Sequence, residues 1–205
     1  MLFLGHLVIG LVLGFILYEV FQDKNIIVFC AIGSVLPDLI DKPLGYIIFN
    51  STLSNGKIFF HSLSILILFF IAGLIAWHWF RSNAFLWVTV GVLCHQVVDA
   101  MWMYPVTWFY PLLGSFPQGT PRPDYIVQVI RYESSSPTEW IFFIAIAAIL
   151  VILIVNWSRT KEGLGSDPLI AAKKHELTGG LVSVGLFILA LSIIIIYLVE
   201  PLGTI

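Results

Sequence analysis

Five apolar runs, Leu2 to Phe21, Ile58 to Phe80, Ala84 to Tyr104, Trp140 to Trp157 and Gly179 to Val199, decide what this chain can become. A helix rises 1.5 Å per residue, so roughly 20 apolar residues cross a hydrocarbon core of about 30 Å. Unpaired backbone groups are costly in lipid, and runs of this kind therefore close their hydrogen bonds as helices. A sixth run, Ile26 to Leu36, crosses only if its helix continues through Pro37 to Ile40; otherwise it re-enters. The pattern predicts an all-α, polytopic membrane bundle of about six transmembrane helices, a single domain over residues 1–205. Composition agrees: 59% of residues are hydrophobic and 11% charged, against about 25% charge in a soluble domain. The first run has no basic leader or small-residue cleavage site and carries His6, so it reads as a retained span.

A net charge of −2 without a basic cluster gives no nucleic-acid footprint. Cys30 and Cys94 lie inside apolar runs and read as small buried hydrophobes. Arg159, Lys161, Lys173 and Lys174 put the 158–178 loop on the cytoplasmic side, together with the Arg81 turn. Six crossings then bring His6, Asp38, Asp41, His61 and Asp99 to one extracytoplasmic leaflet, whereas a re-entrant second run would move His6 away. The expected location is a multi-pass protein of the cell membrane with its site on the extracytoplasmic side.

Ionisable side chains in apolar segments are expensive and mark function. Here they are His6, Asp38, Asp41, His61, His95 and Asp99. His95 and Asp99 are spaced i, i+4, which stacks them on one helix face. Asp38 and Asp41 follow Pro37 and are expected to begin an outer loop, since proline disfavours helix in the residue before it. Three imidazoles and three carboxylates at one depth need a common partner, and a divalent cation supplies it. Mixed nitrogen and oxygen ligation suits zinc first, then manganese or iron, as one ion or two. All six residues are candidate metal ligands. Asp41 and Asp99 are also the candidate catalytic carboxylates, Asp41 either as ligand or as the base that accepts the water proton.

The 105–139 loop holds six of the ten prolines among many aromatics and predicts an interfacial lid. Within it Arg122 and Arg131 are candidate substrate-binding groups for a phosphate. Ser136-Pro137-Thr138-Glu139 reads as a helix cap, with a ligand role for Glu139 as the alternative. His78, between Trp77 and Trp79, reads as a membrane-interface anchor, and His175 as solvated.

The ordered set Gly5-His6, Pro37-Asp38-Leu39-Ile40-Asp41, His61-Ser62 and His95-x-x-x-Asp99, over roughly residues 1–112, resembles the YdjM-type family of membrane-bound metal-dependent hydrolases. That resemblance implies a hydrolase whose metal ligands are His6, Asp38, Asp41, His61, His95 and Asp99. The series is more loosely similar to zinc-dependent phospholipase C, although the further histidines of a three-zinc centre are missing. The expected activity is therefore metal-dependent cleavage of an ester or phosphoester bond in a lipid at the membrane surface. The rival expectation is a divalent-cation or proton transporter lined by the same His/Asp cluster. The partners expected are a lipid substrate and the membrane.

Overall fold

A computed structural model describes residues 3–147 apart from 138, 142 and 145. Every regular element among them is helical, and the chain forms two compact units, Met1–Ser135 and Ser136–Ile205. In the second unit the described residues from 137 to 147 are helical. The remainder of the Trp140 to Trp157 run, the basic 158–178 loop and the Gly179 to Val199 run lie outside the described residues.

The first unit begins with α1, Phe3–Phe21, and α2, Asn25–Pro43. A five-residue π-helical turn, Leu44–Ile48, and an irregular loop lead to α3, Leu63–Phe80, followed by α4, Ala84–Val98. Beyond α4 come the short α5, Pro105–Trp108, and α6, Tyr125–Ser135. Two of these helices, α1 and α3, are long and apolar enough to cross a membrane; α4 is a shorter apolar helix.

Glycine sets how closely the helices pack. A Cβ on Gly33 of α2 would collide with the Val88 carbonyl of α4, and one on Gly91 would collide with the Cys30 carbonyl. The two backbones therefore touch where a side chain would hold them apart. Just beyond that crossing Val92 is fully buried with Leu66 and Val88, and Phe29, Leu36, Leu63 and Phe69 pack around them. His95 follows Val92 by one helical turn, so this apolar plug forms the floor beneath it.

Two local expectations change. Pro37 does not end the second helix: α2 runs 19 residues, through Pro37 to Pro43, so Asp38 and Asp41 are helical rather than loop residues. Proline removes one N–H and leaves the Gly33 carbonyl without its usual donor. A helix buried among neighbours tolerates that loss better than it tolerates unravelling. Continuation gives α2 a length of about 28 Å at 1.5 Å per residue. The run before α3 does the opposite. Residues 58–62 are not helical, and α3 starts only after Ser62, whose Oγ accepts from the Ile65 N–H.

Candidate metal centre

The starts of α1 and α3 and the ends of α2 and α4 meet around four side chains, Asp38, His61, His95 and Asp99. One ligand atom from each lies within 4.8 Å of the others, so the group could hold a metal ion. Asp38 comes from the last turns of α2, His61 from the turn before α3, His95 from the last turn of α4, and Asp99 caps α4. All are buried or nearly so: His61 is 0% exposed and Asp99, the most open, 9%.

The two imidazoles are aimed from behind. His95 Nδ1 lies 2.7 Å from the Ser34 carbonyl, which only accepts, so this nitrogen carries the proton and donates. His61 Nδ1 lies 2.7 Å from Asp41 Oδ2 and donates likewise. Both Nε2 atoms are thereby turned inward and lie 3.1 Å apart. Two lone pairs at that distance repel unless a proton or a cation lies between them. Around them stand Asp38 Oδ1, 3.6 Å from His61 Nε2 and 3.9 Å from His95 Nε2, and Asp99 Oδ2, at 3.7 and 4.0 Å. Two nitrogens and two carboxylate oxygens facing one point match the donor set of a tetrahedral zinc site, in which nitrogens bound at 2.0–2.1 Å are about 3.3 Å apart.

Asp41 stands one layer further out. Its Oδ2 accepts from the backbone N–H groups of Ile58 and His61 as well as from His61 Nδ1, and its Oδ1 accepts from the N–H of Phe60. One fully buried carboxylate thus folds the 58–61 turn onto α2 and fixes the tautomer of His61, the arrangement that orients histidine ligands in metal sites. Burial alone would pull the pKa of His61 down. The carboxylates of Asp38, Asp41 and Asp99 around it outweigh burial and push it up to about 10.

His6 joins from α1. Its ring stacks on that of His95 with centroids 3.9 Å apart, and its Nε2 lies 3.1 Å from Asp99 Oδ1 and 4.0 Å from Asp38 Oδ2. It is 1% exposed, yet neither ring nitrogen makes a well-directed hydrogen bond. An imidazole left this way costs on the order of 1–3 kcal/mol. A cation between His6 and the two carboxylates would recover that cost, so the donor set fits a metal on this side as well.

The sequence model of the YdjM inner membrane protein family matches residues 1–200. The chain belongs to the YdjM inner membrane protein family. The match extends well past the 1–112 stretch whose motifs carry the resemblance. No curated protein and no solved structure matches.

In this YdjM-family chain the structure also brings in groups beyond the six candidate ligands, among them Lys57, which in the resemblance stands for the family's usual basic residue ahead of His61-Ser62. Lys42 Nζ lies 2.6 Å from Asp38 Oδ2, and Lys57 Nζ 3.1 Å from Asp99 Oδ2. The Lys42 pairing was readable as an i, i+4 spacing once α2 is taken through Pro37. Gln96, next to His95, donates to the carbonyls of Phe60 and Ser62 and accepts from Trp108 Nε1, tying α4 to the turn that carries His61. A polar residue inside an apolar run was its only signal.

The segment read as a lid is joined to the loop before α3. Gly119 N–H donates to the Leu53 carbonyl, Asn55 Nδ2 to the Pro117 carbonyl, and Arg122 N–H to Asn50 Oδ1. Phe116 is buried against Phe59 and Tyr110. The Arg122 guanidinium lies 5.0 Å over the ring of Tyr46, while Arg131 is exposed on α6. Glu139 lies in the second unit.

Proposed function

We propose that this protein is a metal-dependent hydrolase that cleaves an ester or phosphoester bond of a lipid, with a site that opens at the extracytoplasmic face of a bundle of about six spans. The observation that carries the reading is the convergence of His61 and His95: two Nδ1–H groups committed to acceptors and two Nε2 atoms facing each other beside two carboxylates. Asp38, His61, His95 and Asp99 would hold the ion, zinc before manganese or iron, with His6 as a further ligand or the nearest ligand to a second ion. When bound, the metal would lower the pKa of a water so that hydroxide is present near neutral pH.

The remaining roles belong to the side chains. Asp99 Oδ1 is the atom best placed to take the water proton, with His6 Nε2 at 3.1 Å to share it and return it to the leaving alkoxide. Asp41 is given a positioning role, because both its oxygens already accept hydrogen bonds from the 58–61 turn and the His61 ring. The interlocked 49–62 and 105–125 segments would exclude water and admit a lipid headgroup, with Arg122 and Arg131 as outlying phosphate contacts.

The test is elemental analysis and lipid turnover on the same detergent-purified sample. The reading expects bound transition metal, product released from a phospholipid mixture only when metal is present, and loss of both in His95→Ala. Metal flux into proteoliposomes without lipid turnover would replace it with the transporter.

A further inference from the structure

The buried charges around the centre do not balance once a metal is present. Metal ligation requires neutral imidazoles. Asp38, Asp41 and Asp99 then contribute −3, and Lys42 and Lys57, which pair with Asp38 and Asp99, contribute +2. Over these five side chains the sum is −1, and one divalent cation makes it +1. An excess positive charge in a low-dielectric site is costly unless an anion offsets it, either a hydroxide or a negatively charged substrate oxygen that takes its place.

The lysines stand where that anion would enter. Their side chains are 27% and 23% exposed, while those of the carboxylates they touch are 3% and 4% exposed, so they form the boundary between the centre and its surroundings. A lysine ammonium has three donors, and only one is needed for each of these carboxylates. A metal that engages Asp38 and Asp99 would satisfy much of their charge and release the ammoniums toward another partner. The two lysines also belong to one rim. A Cβ on Gly56 would lie 3.2 Å from Lys42 Cγ, which puts the Lys42 stem beside the backbone that precedes Lys57. The same Cβ would collide with the Tyr46 ring, over which Arg122 lies, and Lys57 lies 4.4 Å over the Tyr104 ring.

We propose that Lys42 and Lys57 form an anion-recognition rim, so that the bond cleaved is a phosphoester whose non-bridging oxygen pairs with these ammoniums, rather than a neutral carboxylic ester. This rests on the metal-dependent hydrolase reading and narrows its substrate class. The phosphate chemistry is shared by a phospholipid headgroup and a soluble phosphate.

The experiment titrates the metal-loaded full chain in detergent with three probes, inorganic phosphate, dihexanoyl phosphatidylglycerol and neutral dihexanoylglycerol, while elemental analysis records the metal in each sample. Lys42→Gln and Lys57→Gln are expected to keep the metal and to weaken binding of a phosphate probe by about tenfold or more, as loss of a charge-assisted hydrogen bond does. Lys57→Arg should restore most of it, and dihexanoylglycerol should bind all variants alike. Tighter binding of the phospholipid assigns the rim to headgroups; binding of inorganic phosphate alone assigns it to soluble esters. Unchanged phosphate affinity in glutamine variants that hold metal would overturn the rim and leave the hydrolase reading standing. Absence of metal from the wild-type protein would instead remove the reading beneath it. Should a glutamine variant lose its metal, lysine-selective 13Cε NMR on the wild-type protein decides, with signals assigned through Lys42→Arg and Lys57→Arg. Both signals moving with phosphate supports the rim, and signals that stay in place overturn it.

Discussion

His61 Nε2 and His95 Nε2 lie 3.1 Å apart, and each ring is held in that direction by a hydrogen bond at its other nitrogen. The pairing costs energy unless a positive charge lies between the rings, which either a proton on His61 or a bound cation supplies. Removing either nitrogen should cost more than a fraction of the affinity. His61→Ala and His95→Ala are each expected to bring zinc content, read by elemental analysis after equilibrium dialysis, to less than about a tenth of the wild-type value, because a four-donor site drops to three.

Asp41→Asn preserves the shape of the side chain but exchanges one acceptor oxygen for a donor. With its carbonyl toward Ile58, His61 N–H and His61 Nδ1, the new amide NH2 faces the Phe60 N–H, where two donors oppose each other. The His61 ring also loses the negative charge that raises its basicity. Metal affinity is expected to fall by about 10–100-fold, the range seen when a carboxylate behind a histidine ligand is changed. Competition with a chelator measures it, and an unchanged constant would remove Asp41 from the centre.

Protons and metal compete for His61. Its pKa is raised from 6.5 to about 10, so the metal-free protein holds this proton across the neutral range. The stability this gives the metal-free form is full below about pH 6.5 and is lost as pH rises through about 10. Loading has the opposite sign, because the metal must displace the proton. Between pH 6 and 8 the apparent affinity is expected to rise about tenfold per pH unit for each proton released. Calorimetry in two buffers of different ionisation heat counts those protons, and a pH-independent constant would contradict the assignment.

Much of this centre was legible before any coordinates. The i, i+4 spacing of His95 and Asp99, and the presence of His6, Asp38 and His61 in apolar runs, named the four residues that converge and the histidine stacked on them. What could not be read were the arrangements that depend on where a helix stops. Proline rules put Asp38 in a loop, and with that the i, i+4 pairing of Asp38 with Lys42 was out of reach. The acceptor behind His95 is a main-chain carbonyl, that of Ser34, which no side-chain pattern announces. Asp41 and Asp38 look alike in sequence, three residues apart on one helix. Only the path of the 58–61 backbone separates the carboxylate that faces the paired imidazoles from the one that faces N–H groups.

Ala100, directly after Asp99, sits in the left-handed region with φ of 50°. A residue with a Cβ gives up about 1–2 kcal/mol there, of which glycine recovers part at the cost of a looser unfolded chain. Ala100→Gly is therefore expected to be neutral or stabilising by up to about 1 kcal/mol, with metal affinity retained. Ala100→Val, β-branched in a conformation that disfavours it, should lower the melting temperature and loosen Asp99 with it. Thermal melts in detergent, with and without zinc, distinguish the two.

Gln96→Leu tests whether the polar tie between α4 and the turn before α3 matters to the centre. The wild-type side chain donates at 3.3 Å to the Phe60 carbonyl and at 3.2 Å to that of Ser62, and it accepts from Trp108 Nε1 at 3.0 Å. Leucine matches the volume but leaves the Phe60 carbonyl and the Trp108 indole N–H to find other partners, while the Ser62 carbonyl keeps only the Leu66 N–H. Each such group costs on the order of 1–3 kcal/mol when it stays buried, so the variant should melt earlier than wild type. Because Phe60 and Ser62 flank His61, the same change should weaken zinc binding although Gln96 has no donor facing the ion. Trp108→Phe removes only the indole bond on the far side of Gln96 and should lower stability with much less effect on zinc. Equal losses of zinc in the two variants would mean that the effect travels through general loosening of the fold instead of through the backbone beside His61.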